Sequence, residues 1–207
     1  MPLKAHSVWH ALRGLATAIV LSAGLCALQA AEMTDGIAVV TSEHGAIQIS
    51  DENGRSFSPK LHETLVLSGS TIKTGKGSHL FIALSNGMGI GIKESSEVMV
   101  DSYQQRPFTA IQQSIRHEPS ASELSLQIAQ GTIALAGNRL APVSRAHLEL
   151  PHGNIRIHSA TCIVQCNESA TEVTASAGEL TYYYPDKAKR KFVVGPQSLH
   201  ISQQDTE

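Results

Sequence analysis

The sequence lacks the short motifs that mark the common catalytic centres. It contains no G-x-S-x-G nucleophile motif, no H-E-x-x-H zinc motif and no phosphate-binding glycine loop. Its glycines lie instead between predicted strands, at turns that use their conformational freedom. We therefore expect a protein that is not an enzyme and that uses no cofactor.

Charged residues are also few, and neither sign dominates. The 207 residues include 16 lysines and arginines and 18 aspartates and glutamates, for a net charge of −2 at pH 7. Two of the basic residues and none of the acidic ones fall within residues 1–30, so residues 31–207 carry a net charge of −4. A mildly acidic surface lacks the basic footprint of nucleic-acid binding, so we expect no nucleic-acid partner.

Long hydrophobic runs are missing except for one near the start. Residues 14–28 are apolar or small, but this run is shorter than the ~20 residues of a membrane span. Lys4 and Arg13 precede it, and Ala30 offers a small residue for cleavage. This pattern is typical of a signal peptide. We predict a signal peptide over residues 1–30, a periplasmic or secreted bacterial protein, and no membrane span in the mature form.

Two alternatives to this cleavage stay open. The apolar run could remain as a membrane anchor, and Leu28 fits the small-x-small cleavage pattern poorly. Cys26 could carry a lipid, although Leu25 stands where lipoprotein signals usually have a smaller residue.

Only two cysteines, Cys162 and Cys166, follow the signal peptide. Export would place them where a disulfide can persist. However, four residues of regular strand span ~13 Å, whereas a disulfide needs Cα atoms within ~7 Å. A bond therefore requires a bulge or turn at residues 163–165. In a regular strand, both side chains would point to one face as small buried groups.

Strand signals recur along the chain from Gly36 onward, whereas helix signals are scarce. We therefore predict an all-β domain over residues 31–207. Its successive antiparallel hairpins would form a two-sheet sandwich or a short irregular β-roll. Residues 105–122 are polar and contain two prolines, so this stretch could be a loop-rich connection between lobes at about 36–104 and 123–202.

Apolar positions in these strands alternate with polar ones, as in strands with one buried face. The clearest turn is Asn86-Gly87, because Asn-Gly tolerates the positive φ angles of a type I′ hairpin turn. The predicted core consists of Val39, Ile47, Ile72, Leu80, Ile82, Leu84, Ile90, Ile92, Val98, Leu148, Ile155, Ile157, Val173 and Leu180.

The order of these parts resembles the FecR-like domain. That family has a G-x-x-I-x-T-G strand and turn, an apolar strand, L-S-N-G and a second apolar strand. Residues 69–75, 80–84 and 84–87 follow this order. Further on, P-x-G-x-I-x-I is similar to residues 151–157, and T-x-V-x-V-x-x-G-x-L is similar to residues 171–180.

The resemblance covers about residues 36–200 and implies an all-β fold. Ala160 stands where the family usually has glycine, and Cys162 is inserted in the same strand. The sigma-factor regulators of the family carry a cytoplasmic segment before their membrane span. Only a dozen residues precede the apolar run here, so we expect that the regulatory function does not carry over.

Three polar side chains could form a weak metal site. If residues 151–154 form a hairpin turn, Glu149 lies nearly opposite His158, with His147 on the same face. Zinc needs three or four such ligands, and no fourth is in view. We favour a solvated strand face over a metal site.

Two tyrosines could offer a stacking surface for sugar. Tyr182 and Tyr184 share one face of a strand, and Tyr183 points the other way. The alternative is that at least one of the three lies in the core.

A short basic run follows the tyrosines and consists of Lys187, Lys189, Arg190 and Lys191. It could touch anionic polysaccharide or lipid. The alternative is a charged loop that protects an edge strand from aggregation, a common use of lysine.

We interpret the chain as a non-catalytic extracytoplasmic module that recognises a protein partner at the cell envelope. Exposed sheet edges would bind that partner by strand addition. The alternative is a carbohydrate- or surface-polymer-binding module that uses the tyrosines and the basic run.

Overall fold

The computed structural model describes residues 32–109, 117–186 and 188–202. The predicted signal peptide, residues 1–30, lies outside the described residues. The described residues form fifteen strands and no helix, and hence no helix that could cross a membrane. The strands are β1 (Thr34–Asp35), β2 (Ala38–His44), β3 (Ile47–Ser50), β4 (Ser56–Phe57), β5 (Thr64–Leu65), β6 (Ser70–Thr74), β7 (His79–Leu84), β8 (Gly89–Ile92), β9 (Glu97–Gln105), β10 (Ser122–Ala136), β11 (Arg145–Leu150), β12 (Gly153–Cys166), β13 (Ala170–Tyr183), β14 (Arg190–Val194) and β15 (Gln197–Ser202).

All fifteen strands join in one mixed sheet, which confirms the all-β prediction. Most neighbours pair antiparallel, but β10 and β11 pair in parallel, with Glu123 opposite Arg145. The connection over residues 137–144 returns the chain to the start of β10 before β11 begins. The predicted succession of antiparallel hairpins is therefore interrupted at this pair.

Long strands bend and fold the sheet back on itself. β10 bends at Gly131, where φ is +110°, and β13 bends at Gly178, where φ is +77°. β12 shifts its register against β13 after Ile157. As a result His152, just before β12, reaches Thr171 near the far end of the same hairpin, with 3.0 Å between Nδ1 and Oγ1. The two layers of the folded sheet enclose the core.

The core contains every residue predicted for it except Val39. Val39 is half-buried, and its neighbours Ala38 and Val40 face inward instead. The pairing with β7 explains the difference, because Ala38 lies opposite Leu84 and Val40 opposite Ile82. Cross-strand partners share a face, so the buried residues of β7 set the inward face of β2.

The chain turns at Asn86-Gly87 as expected, but the turn is not type I′. Gly87 has a φ of +87°, whereas Asn86 is not among the described residues with positive φ. The Leu84 carbonyl accepts the Gly87 N–H at 2.9 Å, which is typical of a type I turn followed by a left-handed glycine. The buried Asn86 side chain stabilises this form: its Oδ1 accepts the Met88 N–H and its Nδ2 donates to Ser122 Oγ, both at 2.9 Å.

Candidate functional site

Strand β14 forms a free edge of the described sheet. It pairs only with β13 among the described strands. Across this pair the Gly195 N–H donates to the Gly178 carbonyl. Because backbone groups alternate in direction along an antiparallel ladder, those of Arg190, Phe192 and Val194 point away from β13. The Val194 N–H donates to Gln197 Oε1 at 3.4 Å, so the groups of Arg190 and Phe192 are the ones left for a partner. The edge therefore offers hydrogen-bonding groups to a further strand.

Basic and apolar side chains lie together along this edge. Phe192 is 62% exposed, and the Arg190 guanidinium lies 5.3 Å from the centroid of its ring. Lys191 is also exposed. The basic residues are evident in the sequence as a run, whereas Phe192 is not, and the signal for it is its place two residues after Arg190 in a strand pattern.

Of the rest of the predicted basic run, Lys189 lies in the loop before β14. Lys189 places its Nζ 4.2 Å from the centroid of the Tyr184 ring, a cation–π contact. Lys187 lies outside the described residues. Tyr184 is half-buried against the core, so this contact covers its ring and leaves little of it for a ligand.

Tyr182 is a core residue and cannot form part of a surface for sugar. Its relative exposure is 0%, and its hydroxyl donates to the His152 carbonyl. Burial raises the pKa of this phenol. Tyr182 lies opposite the buried Ile155, which sets its side chain inward. The prediction that Tyr182 and Tyr184 together form a binding surface is therefore wrong.

The predicted polar trio on β11 and β12 does not converge. The loop between these strands holds two residues instead of the expected four, since pairing continues to the last residue of β11. Glu149 consequently lies opposite Asn154 and not near-opposite His158. His158 Nε2 instead makes a 2.8 Å hydrogen bond with Thr181 Oγ1.

His147, the third member of the trio, lies opposite Arg156. Partial desolvation lowers the pKa of His147, although the residue is exposed, and the charges of Arg156 and Arg145 lower the pKa further. These cationic neighbours oppose the approach of a metal cation. Within the described ranges, no three histidine, cysteine or acidic side chains are grouped to hold a metal ion.

Cys162 and Cys166 are both buried with free thiols. The pairing of β12 with β13 has no register shift between them, so both side chains point to the core, as a regular strand requires. The structure thus has no disulfide between them. Burial raises the pKa of Cys162 to about 12 and that of Cys166 to about 11.

We expect neither thiol to react with Ellman's reagent at pH 8 in the folded form of residues 31–207. The thiolate is the nucleophile, and both pKa values lie well above this pH. Two thiols should titrate after denaturation without reductant. The Ile163→Cys variant is the matched control, because Ile163 is 47% exposed and its replacement should react in the folded state. Rapid native labelling, or no thiol in the denatured protein, would contradict the assignment.

The outer face of the sheet carries a second feature, an apolar strip across β7, β8, β10 and β12. It forms a groove of about 420 Å³ lined by the exposed side chains of Phe81 and Ile163. The Phe81 ring covers Gly91, where an added Cβ would come within 2.6 Å of a ring carbon. The apolar strip consists of Phe81, Ala83, Gly89, Gly91, Ala134, Ala136 and Ile163.

Comparison with known proteins assigns this chain neither a family nor a function. No family model and no curated protein matches the sequence. The chain is similar to two crystal structures of a candidate anti-sigma factor from Parabacteroides distasonis ATCC 8503, each with 9% identity and a TM-score of 0.49. The matches cover 66% of this chain, and they span 57% and 56% of the length of those chains. At this similarity the comparison assigns no function, and the FecR-like resemblance stays a prediction.

Proposed function

We propose that this protein is a non-catalytic binding module, exported to the cell envelope, that captures an extended acidic segment of a partner protein. The segment would add to the free edge of β14 as a new antiparallel or parallel strand. The observation that carries this proposal is the set of backbone groups of β14 that point away from β13.

The side chains of the edge support a particular partner chemistry. Arg190 and Lys191 on β14, and Lys189 just before it, are all exposed. Acidic side chains on an added strand would lie beside these charges, because opposite charges on neighbouring strands stabilise pairing. Exposed Phe192 offers an apolar contact beside Arg190. We therefore infer a segment in which acidic and apolar residues alternate.

The edge also has features that keep it from pairing with other copies of itself. Positive charges on an edge strand repel a second identical strand, which natural sheets use against aggregation. The same charges favour an acidic segment, so a single feature supports both solubility and selectivity.

The test is selection from a random peptide library displayed on phage, with residues 31–207 as bait. We expect the selected peptides to be enriched in acidic and β-branched residues. On binding of a synthetic selected peptide, the Phe192 amide should become protected from hydrogen exchange. The Val193 amide faces β13 and should be protected with and without peptide.

Proline at position 192 is the decisive variant. Phe192→Pro removes the outward N–H without removing a bond to β13, and proline is tolerated on edge strands. We expect it to weaken peptide binding about tenfold or more. Phe192→Ala is the matched control, because it removes the same ring but keeps the N–H, and it should bind more tightly than Phe192→Pro. Equal binding by both variants would overturn strand addition.

A charge reversal separates the protein-binding function from the polymer-binding alternative. Arg190→Glu combined with Lys191→Glu should reduce binding of acidic peptides and favour basic ones. Retention on immobilised alginate is measured in parallel. Retention that the double variant abolishes and Phe192→Pro leaves intact, with no selected peptide, would replace the proposal by binding of an acidic polysaccharide.

A further inference from the structure

Two histidine side chains lie face to face at one end of the β2–β7 pairing. His44 is the last residue of β2 and His79 is the first of β7, and the two are direct cross-strand partners. Their rings are stacked, with centroids 5.5 Å apart and planes inclined by 26°. Because direct partners place their side chains on the same face of a sheet, the two imidazoles lie side by side.

The ring nitrogens of this pair have no partner within the protein. Among the described residues, neither the His44 nor the His79 ring takes part in a hydrogen bond or an ion pair. By contrast, His152 places both ring nitrogens in hydrogen bonds, and His158 places one. His44 is exposed and His79 is half-buried, so the pair is open to solvent. Both rings therefore have nitrogen atoms to offer to a ligand.

Phe81 fixes the orientation of one of the two rings. The Phe81 and His79 rings meet edge to face, with centroids 5.4 Å apart and planes inclined by 63°. Phe81 is itself held over Gly91, where an added Cβ would come within 2.6 Å of the ring. His79 is thus positioned in advance, which lowers the entropic cost of binding, while the exposed His44 side chain can adjust.

The spacing of the two rings fits two ligands of one metal ion. When a ring nitrogen lies about 2.0–2.1 Å from a metal, the ring centroid lies ~3.2 Å from it. Two such rings that meet the metal at a right angle or at a tetrahedral angle have centroids ~4.5–5.2 Å apart. The observed 5.5 Å is only slightly longer. A small rotation of His44 would close the difference.

We propose that His44 and His79 form a two-ligand site for a divalent late first-row transition metal, with Cu²⁺ bound most tightly. Imidazole is a preferred ligand of Cu²⁺, Ni²⁺ and Zn²⁺, and Cu²⁺ binds most strongly in this series. No group of three potential ligands includes the pair within the described ranges, so water completes the coordination. The site is an open surface chelate, unlike the closed four-ligand sites of structural zinc. This inference does not depend on the proposed function of β14.

Isothermal titration of residues 31–207 with Cu²⁺ tests the proposal. This range contains all fifteen strands and omits His6 and His10, and the protein is prepared without a histidine tag. We expect one equivalent to bind with a dissociation constant below about 100 μM. Ni²⁺ and Zn²⁺ should bind more weakly, and Ca²⁺ and Mg²⁺ should not compete, because they prefer oxygen ligands. The electron paramagnetic resonance spectrum of the Cu²⁺ complex should show two nitrogen ligands.

His44→Gln and His79→Gln each remove one ligand and keep a polar side chain. Each should weaken Cu²⁺ binding about tenfold or more. The double variant should be little weaker than either single variant, because the first substitution already destroys the chelate. His200→Gln is the matched control, because His200 is also exposed on a strand but lies opposite Glu172 instead of a histidine. It should bind Cu²⁺ like the original chain.

Urea unfolding gives a readout that scattered surface binding would not produce. A metal held between β2 and β7 binds only the folded chain, so Cu²⁺ should raise the unfolding midpoint of the original chain and of His200→Gln, but not of the two pair variants. Circular dichroism without metal shows whether each variant folds, and the resonance spectrum of the original chain counts its ligands without any variant. The proposal is overturned if the original chain binds no Cu²⁺ or shows fewer than two nitrogen ligands. It is also overturned if both folded pair variants keep the original affinity, or if His200→Gln weakens binding equally.

Discussion

Replacing Gly178 by alanine is expected to abolish cooperative folding or to lower the free energy of unfolding by about 4 kcal/mol or more. Gly178 has a φ of +77°, and a Cβ at this position would lie 1.7 Å from the Ser159 carbonyl oxygen. That oxygen belongs to the backbone of β12, so it cannot move aside as a flexible side chain would. The bend of the β12–β13 hairpin depends on this close approach.

Gly54→Ala is the matched control for this prediction. Gly54 has nearly the same backbone angle, a φ of +76°, but no heavy atom lies within 4 Å of its added Cβ. It isolates the cost of the left-handed conformation, which is about 1 kcal/mol. Urea unfolding monitored by circular dichroism measures both variants. Similar losses for the two would show that Gly178 is not needed for strand approach.

The second large effect is expected at Tyr182. Tyr182→Ala should lower the free energy of unfolding by about 3–5 kcal/mol, because it empties the space of a fully buried aromatic ring. Tyr182→Phe should cost less, about 1–2 kcal/mol, since it only deprives the His152 carbonyl of its donor. The difference between the two variants separates packing from hydrogen bonding.

Tyr183→Ala is the control for this series, because the neighbouring ring is half-buried and its loss should cost ~1 kcal/mol. These values also bear on ligand assays. A loss of polysaccharide retention in Tyr182→Ala would reflect unfolding, so it could not support a binding role for this side chain. Unchanged stability in Tyr182→Ala would refute its burial.

The all-β class and nearly all of the predicted core follow from local pattern. Leu80, Ile82 and Leu84 alternate with their neighbours, and a period of two is enough to identify a strand with one buried face. Asn86-Gly87 likewise places a turn between two such strands. These features depend on residues close together in the chain, so the sequence alone carries them.

The errors have a common physical cause. Alternation tells which residues share a face, but it does not tell which face is buried or which strand lies opposite. The alternation at Val39 fits either face, but pairing with β7 turns Ala38 and Val40 to the core. The sequence pattern puts Tyr182 and Tyr184 on one face, but only pairing with Ile155 shows that the Tyr182 side of the strand is buried.

The candidate surfaces required the tertiary structure for the same reason. The basic run is evident in the sequence. Its position beside Phe192 on a free edge depends on the pairing of β14 with β13, which leaves the other side of β14 unpaired among the described strands. The apolar strip joins residues from Phe81 to Ile163, distant in the chain, and the register of four strands brings them together. The sequence by itself determined the strands and their two faces. Only long-range pairing decided which faces became core and which edge stayed open for binding.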